Sequence, residues 1–201
     1  FFTINKKEKW ITNEFSRGRV HLFRSNHDCI VTSSNTVIED NPKLDCRING
    51  LENLTPTCIV LDNKLKIPIK SNVIKKSNVC STIIFYSYPN KKKIKILRKL
   101  KVKLYKIPNN KNSEMDLKSV LLKIGELGFS RVFIEAGKKL TLNFLKKNLV
   151  NDFIVSISQK KLGNNGENNI KKQIYPIIKN RKKKNIKANL FGEKLLLYRL
   201  K

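Results

Sequence analysis

The chain has 201 residues, 40% of them hydrophobic and ten of them Phe, which excludes disorder as its main state and allows one substantial core or at most two small domains. Lys and Arg number 43 against 15 Asp and Glu, a formal charge of +28, yet only eight of the 43 are Arg and the Lys residues run from end to end. Phosphate and base recognition leans on Arg forks, whereas dispersed Lys is compatible with a solvated surface, so the charge by itself assigns no polyanion partner. Phe1 to Thr3 reads as the end of a strand, and Asn5 to Lys9 as a polar turn delivering Trp10, which suits packing beside Ile11. Thr12 or Asn13 caps a helix with Glu14 in its first turn and Ile11, Phe15, Leu22 and Phe23 on its buried side. Arg17 and Arg24 share a face of that helix against which an anion fits. Gly18 within the helix costs about 1 kcal/mol relative to Ala and signals a close packing contact. His21 and His27 have no evident partner and read as bystanders.

Asp28 to Thr32 is a strand, and Ser33-Ser34-Asn35-Thr36 leads into a short helix through Asp40 that Asn41-Pro42 stops. Lys43 to Arg47 is irregular, with Arg47 either the fork for a phosphate or carboxylate or a surface ion pair with Asp45 or Glu52. Asn49 to Pro56 is a loop, and Thr57 to Asp62 a second strand followed by Asn63. Ile67 to Ser77 is a loop with a short helical piece, and Ser81 to Tyr86 a third strand. Ile94, Leu97 and Leu100 mark a marginal amphipathic helix in the basic run Asn90 to Lys103, whose Lys residues form a solvated face more readily than a polyanion contact. Val102 to Ile107 is a short strand. Asp116 opens a helix through Leu117, Val120, Leu121 and Ile124 that closes near Gly125 or Gly128.

The stretch from Arg131 to Leu149 organises the rest. Val132-Phe133-Ile134 is an apolar run of the kind a strand buried on both faces shows. Glu135 ends it, Gly137 permits a turn, and a helix follows with Leu140, Phe144 and Leu145 on one stripe. A strand, a carboxylate, a glycine and a helix start make a ligand crevice in an open α/β sheet, with N–H groups for a phosphate; the plain alternative is an ordinary βα turn with a surface glutamate. Asn151 to Ser158 is a less continuous strand, and Gln159 to Ile174 a Lys-, Asn- and Gly-rich loop that either closes over a ligand or is disordered. Asn180 to Lys187 is basic. Leu195 to Leu200 is a terminal strand, with Ala188 to Phe191 its hairpin partner across Gly192. Strands alternate with helices to about residue 150 and dominate afterwards, which gives an α/β class with a mostly parallel sheet and an antiparallel C-terminal edge. Cys29, Cys46, Cys58 and Cys80 form no Cys-x-x-Cys unit and no His stands at ligand spacing, so no metal site is expected. The apolar settings of Cys29, Cys58 and Cys80 suit reduced thiols in a cytoplasmic protein. No apolar run reaches transmembrane length, and the first residues lack a signal-peptide pattern, so no membrane partner is expected.

In order along the chain, Trp10-Ile11-Thr12, the Arg24 helix, Thr32-Ser33-Ser34-x-Thr36-Val37-x-x-Asp40-Asn41-Pro42-x-Leu44-x-x-Arg47, Leu61-Asp62, Glu135-Ala136-Gly137 and Lys161-Leu162-Gly163 resemble the bacterial riboflavin-biosynthesis reductase domain. That domain is the C-terminal half of a bifunctional pyrimidine deaminase/reductase. The resemblance extends over nearly the whole chain and is strongest from Thr32 to Arg47. It implies one reductase-like domain over residues 1–201, with a three-layer, dihydrofolate-reductase-like fold. It also implies NADPH-dependent reduction of 5-amino-6-(5-phosphoribosylamino)uracil to the ribitylamino product, in a cytoplasmic homodimer. Trp10, Thr36, Asp40, Asn63 and Gly137, Lys138, Lys139, Leu140, Thr141, Leu142 and Asn143 match its cofactor-contacting positions. Arg24, Leu44, Arg47 and Glu135 match its substrate-contacting positions. The hydride comes from the cofactor, so no protein group is assigned as catalytic acid or base, and Glu135 orients the substrate.

Three departures accompany the resemblance. Lys138-Lys139 replaces the usual Pro-Thr, and Glu8 stands where a small or polar residue is usual. The family's preceding strand, with a Ser-Leu-Asp-Gly-like end beside the nicotinamide, falls before these residues, as does the deaminase half. An inactive or truncated reductase is therefore one alternative. A pterin reductase on the same fold is a second, against which Arg24, Arg47 and Glu135 point to a phosphorylated substrate. A basic nucleic-acid-binding module is a third, although it would need a concentrated Arg/Lys face with interleaved aromatics. The expectation for these 201 residues alone is weak NADPH binding or none. Calorimetric titration checks it, and micromolar affinity contradicts it.

Overall fold

The computed structural model describes residues 11–160 and 171–201, so Glu8, Trp10 and Lys161-Leu162-Gly163 lie outside the described residues. The chain forms two compact units, His21–Ala136 and Phe1–Val20 with Gly137–Lys201. The first holds a five-stranded parallel sheet of β1 (Cys29–Ser33), β2 (Thr57–Leu61), β3 (Thr82–Tyr86), β4 (Lys103–Lys106) and β5 (Val132–Ile134), in the order β4-β3-β2-β1-β5. Helices α2 (Ser34–Asp40), α3 (Asn72–Lys75), α4 (Lys91–Lys99) and α5 (Leu117–Glu126) fall in turn between successive strands of the chain, as parallel pairing requires.

Continuous apolar runs produce this sheet because both of its faces are buried. The register lines up Ile30 with Cys58 and Thr32 with Val60 and Ile84 on one face, and Val31 with Ile59 and Ile83 on the other. All of these are buried. Val37, Val73, Ile74 and Leu97 close over the first face together with Leu44, Leu65 and Ile67. Each such side chain contributes about 1.5–3 kcal/mol on burial. Ser33, Asn90 and Asp116 cap α2, α4 and α5 by accepting from the N–H groups of Thr36, Lys93 and Ser119. The closing glycine of α5 is Gly128, whose φ of +87° is the left-handed conformation that a helix end favours. The run Val132-Phe133-Ile134 departs from expectation: these residues are half-buried, because β5 stands at the end of the strand order and pairs, among the described residues, with β1 alone.

The second unit carries α6 (Lys138–Lys146), α7 (Lys171–Ile178) and an antiparallel sheet of β6 (Asp152–Ile157), β7 (Lys182–Asn185) and β8 (Lys194–Arg199), in the order β6-β8-β7. Leu142, Leu145, Ile174 and Leu200 form its core. The expected mostly parallel sheet with an antiparallel C-terminal portion is thus present, with two corrections of detail. The hairpin partner of β8 is Lys182–Asn185 and not Ala188–Phe191, which lies in the connection where Phe191 and Gly192 both take positive φ. Lys171 to Ile174 belong to α7, not to the expected loop.

Helix α1 (Glu14–Ser25) starts as expected, since Asn13 accepts from the Ser16 N–H at 2.9 Å. Its Phe15 is not on a buried side, however. It is 44% exposed and packs against the ring of Phe191 at 4.1 Å between centroids. Gly18 has no close neighbour among the described residues either: a Cβ built there meets none of them within 4 Å. All four cysteines carry free thiols, and burial pushes those of Cys29 and Cys58 up to about 12. Among the described residues no helix is long and apolar enough to cross a membrane. Because nothing crowds Gly18, Gly18→Ala is expected to raise unfolding stability by about 0.5–1 kcal/mol. Chemical denaturation of the two proteins measures it, and an unchanged or lower stability would restore the packing explanation.

Candidate functional site

Parallel pairing brings the carboxyl ends of β1, β2 and β5 to one edge of the sheet. Ser33 lies beside Leu61, Val31 beside Ile134, and the Glu135 N–H donates to the Val31 carbonyl at 3.0 Å, extending the β5 ladder by one rung. Such an edge is where open α/β sheets hold ligands.

Arg24, in the last turn of α1, meets Glu135 there in a bidentate pair. Its Nε donates to Oε2 at 3.0 Å and its Nη2 to Oε1 at 2.7 Å, while Nη1 donates to the Asp45 carbonyl at 2.9 Å. The two side chains are only 9% and 14% exposed. All three guanidinium nitrogens of Arg24 therefore hold protein groups, and the arginine fixes the Glu135 carboxylate in one orientation.

Asp45 carries the network outward. Lys76 bonds its Oδ2, and Arg47 places Nε 3.2 Å from Oδ1, in an ion pair that is not aligned as a hydrogen bond. Burial pushes the Asp45 carboxyl up, but the hydrogen bond and charge of Lys76, joined by the charge of Arg47, outweigh it and hold the group below the usual carboxylate value. Arg47 itself is 57% exposed. His21 completes the cluster: its Nδ1 is 2.9 Å from the Asp45 carbonyl, and its Nε2 is 3.2 Å from Arg47 Nη2. Burial and the charge of Arg24 push the imidazole below its ordinary value.

Arg24, Arg47 and Glu135, all matched to substrate-contacting positions, thus lie in one connected cluster. Leu44 adjoins it with a φ of +52°, a costly conformation for leucine, and its side chain goes into the apolar core. Thr36 is bound at the start of α2, where its N–H and hydroxyl meet the Ser33 hydroxyl at 3.2 and 3.0 Å, and Asp40 is exposed at the end of that helix. Asp62 faces inward, its carboxylate accepting the N–H groups of Lys66 and Ile67 at 2.8 and 2.7 Å. Asn63 donates from Nδ2 to the Ser113 carbonyl at 3.2 Å, and its buried Oδ1 has no hydrogen-bond partner among the described residues.

The remaining expected cofactor positions belong to the other unit. Gly137 is the N-cap of α6 with φ −67° and ψ 176°, extended backbone that any residue adopts, so no left-handed turn calls for glycine here. Glycine at the N-cap supplies no capping side chain, and Lys138 and Lys139 open the helix without an acidic residue in its first turn. Leu142 is buried in that unit's core, whereas Lys138, Leu140, Thr141 and Asn143 are half-buried and Lys139 is exposed. A cleft of about 800 Å³ in the same unit, lined in part by Thr12, Asn13, Arg17, Ser158 and Phe191, contains none of the expected site residues. The sequence reading missed His21, Asp45 and Lys76 as site members. His21 stands one helical turn before Arg24, a spacing that puts both on one face. Lys76 carries no such signal, because 31 residues separate it from Asp45.

A parallel α/β sheet with an arginine–carboxylate pair at the carboxyl ends of its strands is an open-sheet α/β domain, a class in which that edge is the usual place for ligands. Residues 2–191 match the family model described as the RibD C-terminal domain, and the chain belongs to that family. The riboflavin biosynthesis protein RibD of Aquifex aeolicus is 30% identical over 199 residues, 98% of this chain and 52% of the relative. The 5-amino-6-(5-phosphoribosylamino)uracil reductase of Buchnera aphidicola from Acyrthosiphon pisum is 28% identical over 172 residues, 79% of each chain. Among solved structures, RibD of Acinetobacter baumannii superposes with a TM-score of 0.74 at 20% identity, covering 96% of this chain and 52% of that one. The Saccharomyces cerevisiae riboflavin biosynthesis reductase superposes with a TM-score of 0.67 at 20% identity, covering 94% and 82%. The fold is therefore the three-layer, dihydrofolate-reductase-like α/β fold. The chain spans about half the length of RibD proteins it matches, 42%, 45% and 52% in three of them.

The buried pair makes a direct prediction. Arg24→Ala leaves the Glu135 carboxylate buried without its cation, and the expected loss of stability is about 3–5 kcal/mol. Replacing both residues by Leu recovers at least about half of that loss, since neither charge is left alone. Denaturant unfolding of the single and double variants reads both numbers, and equal losses would show that the ion pair is not what the site rests on.

Proposed function

We propose that the chain is the reductase that converts 5-amino-6-(5-phosphoribosylamino)uracil to its ribitylamino product with NADPH. The observation that carries this reading is the meeting of Arg24, Arg47 and Glu135 at the carboxyl edge of the sheet, in a chain of the RibD C-terminal domain family. When bound, NADPH supplies the hydride. The protein's part is to hold the opened sugar and the cofactor against each other.

Within that division of labour, Arg47 takes the phosphate. It is the half-exposed cation of the cluster, and its guanidinium offers more N–H groups than Asp45 and His21 occupy. Glu135 accepts from the substrate through the lone pairs that Arg24 leaves free, and its negative charge favours positive charge developing at an imine. Arg24 acts through Glu135. Leu44, with its side chain in the core, approaches substrate through its backbone.

The cofactor residues fit their group on two counts. The start of α6, whose N-cap is a glycine, carries Lys138 and Lys139, a placement unfavourable with the helix dipole and suited to a pyrophosphate beside it. The buried Asn63 Oδ1, without a partner among the described residues, suits a donor on the ligand. Thr36, Asp40, the residues from Gly137 to Asn143 and Trp10 are assigned to the cofactor by resemblance alone. The 201 residues are one reductase-like domain, working in a homodimer.

Glu135→Gln and Arg47→Ala, made in the natural full-length protein, are each expected to lower turnover by about two orders of magnitude while the circular dichroism spectrum stays native. Steady-state kinetics on the purified variants measures this. Near-normal turnover in either refutes that residue's role.

A further inference from the structure

The proposed reaction makes no use of His21, yet its ring lies against both arginines of the site. Two tautomers are open to it, and the distances choose between them. With the proton on Nδ1, the ring donates to the Asp45 carbonyl at 2.9 Å, and its Nε2 lone pair accepts from Arg47 Nη2 at 3.2 Å. With the proton on Nε2, two acceptors face each other at 2.9 Å and two donors at 3.2 Å. The ring then gains only the longer contacts of Nδ1 with the Arg47 backbone N–H at 3.3 Å and Arg24 Nη1 at 3.4 Å. The Nδ1–H form satisfies the shorter pair and is the resting state.

We propose that neutral His21 is a positioning residue that holds the Arg47 guanidinium in place for the phosphate of the substrate, and that protonation of the ring releases it. The proposal rests on the reading of Arg47 as the phosphate-binding group. An arginine 57% exposed has many rotamers to lose, so a fixed acceptor beside it reduces what phosphate binding must still order. The charged groups around the ring are Arg24 on its own helix, Arg47 and Asp45 on the segment after α2, Lys76 on the far oxygen of Asp45, and Glu135 behind Arg24.

Protonation acts selectively in this setting. The imidazolium still donates from Nδ1 to the Asp45 carbonyl, but its Nε2–H now faces an Arg47 donor, and a third positive charge joins the two guanidiniums. Burial and Arg24, with Arg47 adding, outweigh the opposing influence of Asp45 and keep the ring neutral to a pH below its ordinary value of 6.5. The hold on Arg47, and the stability that the neutral ring contributes, are therefore complete above 6.5 and lost as pH falls through the lower folded-state value.

Two variants of the full-length protein test this. His21→Gln puts a carboxamide oxygen near the Nε2 position, able to accept from Arg47 without titrating, and His21→Phe keeps the ring and removes the acceptor. At pH 8, His21→Phe is expected to raise KM for the phosphorylated substrate about tenfold with kcat within about twofold, whereas His21→Gln stays near wild type. As pH falls below 6.5 the wild-type KM rises more steeply than that of His21→Gln, which keeps only the titration of the substrate phosphate. A ligand-free readout accompanies the kinetics: long-range 1H–15N NMR shows the Nδ1–H tautomer at neutral pH. An unchanged KM in His21→Phe, a wild-type pH dependence in His21→Gln, or an Nε2–H ring each overturns the proposal. Should the wild-type protein turn nothing over, the reductase reading fails on its own. Ribose 5-phosphate titrations of the three forms then decide: wild type and His21→Gln binding tighter than His21→Phe supports the positioning role, and equal affinities overturn it.

Discussion

A guanidinium and a carboxylate, both largely withdrawn from water, set the terms for the residues around them. Arg24 and Glu135 would each be costly to bury alone, and the two short hydrogen bonds between them, with the third to the Asp45 carbonyl, satisfy every nitrogen of the arginine. The geometry this demands is specific. It ties the last turn of α1 to the tip of β5, and it fixes the backbone at Asp45, so that the neighbouring Leu44 is held at positive φ with its side chain in the core. Once the Asp45 carbonyl is placed, its carboxylate is placed too, and with it Lys76, Arg47 and His21. The half-exposed Arg47 is the outermost part of a chain of constraints that begins in the interior.

The sheet makes that chain of constraints possible because its strands cannot slip. Both faces are buried, so a shift of one residue along β1 or β2 would exchange the two packed faces. The far ends of β1 and β5 are clasped as well. The Asp28 carboxylate accepts the N–H groups of Ser130 and Arg131 at 2.9 and 2.7 Å, and the N–H groups of Asp28 and Cys29 donate to the Arg131 carbonyl. Those backbone hydrogen bonds hold the Asp28 carboxyl below its usual value, so this clasp persists above about pH 4 and weakens only in stronger acid. The Glu135 end of β5 is in this way referred to two fixed points, one at each end of a three-residue strand.

Burial decided what the amino-acid sequence made legible. Strands covered on both faces appear as plain apolar runs, and β1, β2 and β3 stand within a residue or so of where those runs lie. Lys182–Asn185 has no such run, because every residue of β7 is exposed on an edge strand that lysine protects from further pairing. The start of α7 was hidden because Lys171 to Ile174 continues a Lys-, Asn- and Gly-rich run, and the helix holds Pro176 in its interior, where proline ordinarily breaks one. Arg24, Arg47 and Glu135 were legible through the motif spacing they share with a family. His21 was legible only in principle, one turn from Arg24, and it is the fold that turns this spacing into a shared contact with Asp45 and Arg47. Lys76 was not legible at all, for its nearness to Asp45 exists only after the chain has passed through β2 and α3.

The large positive charge takes a different meaning in this light. Thirty-five lysines scattered over the chain raise the potential everywhere and draw anions of any kind, an effect screened over roughly 8–10 Å at physiological salt. Scattered charge of that sort cannot tell one phosphate ester from another. Around Asp45 the balance is local: Arg24 is neutralised by Glu135, while one carboxylate faces both Lys76 and Arg47 and leaves a single positive charge over. That surplus sits on a planar fork held from the side by an uncharged ring. In the phosphate-binding role proposed for Arg47, selectivity comes from orientation, which long-range charge does not supply, even on a surface that attracts every anion.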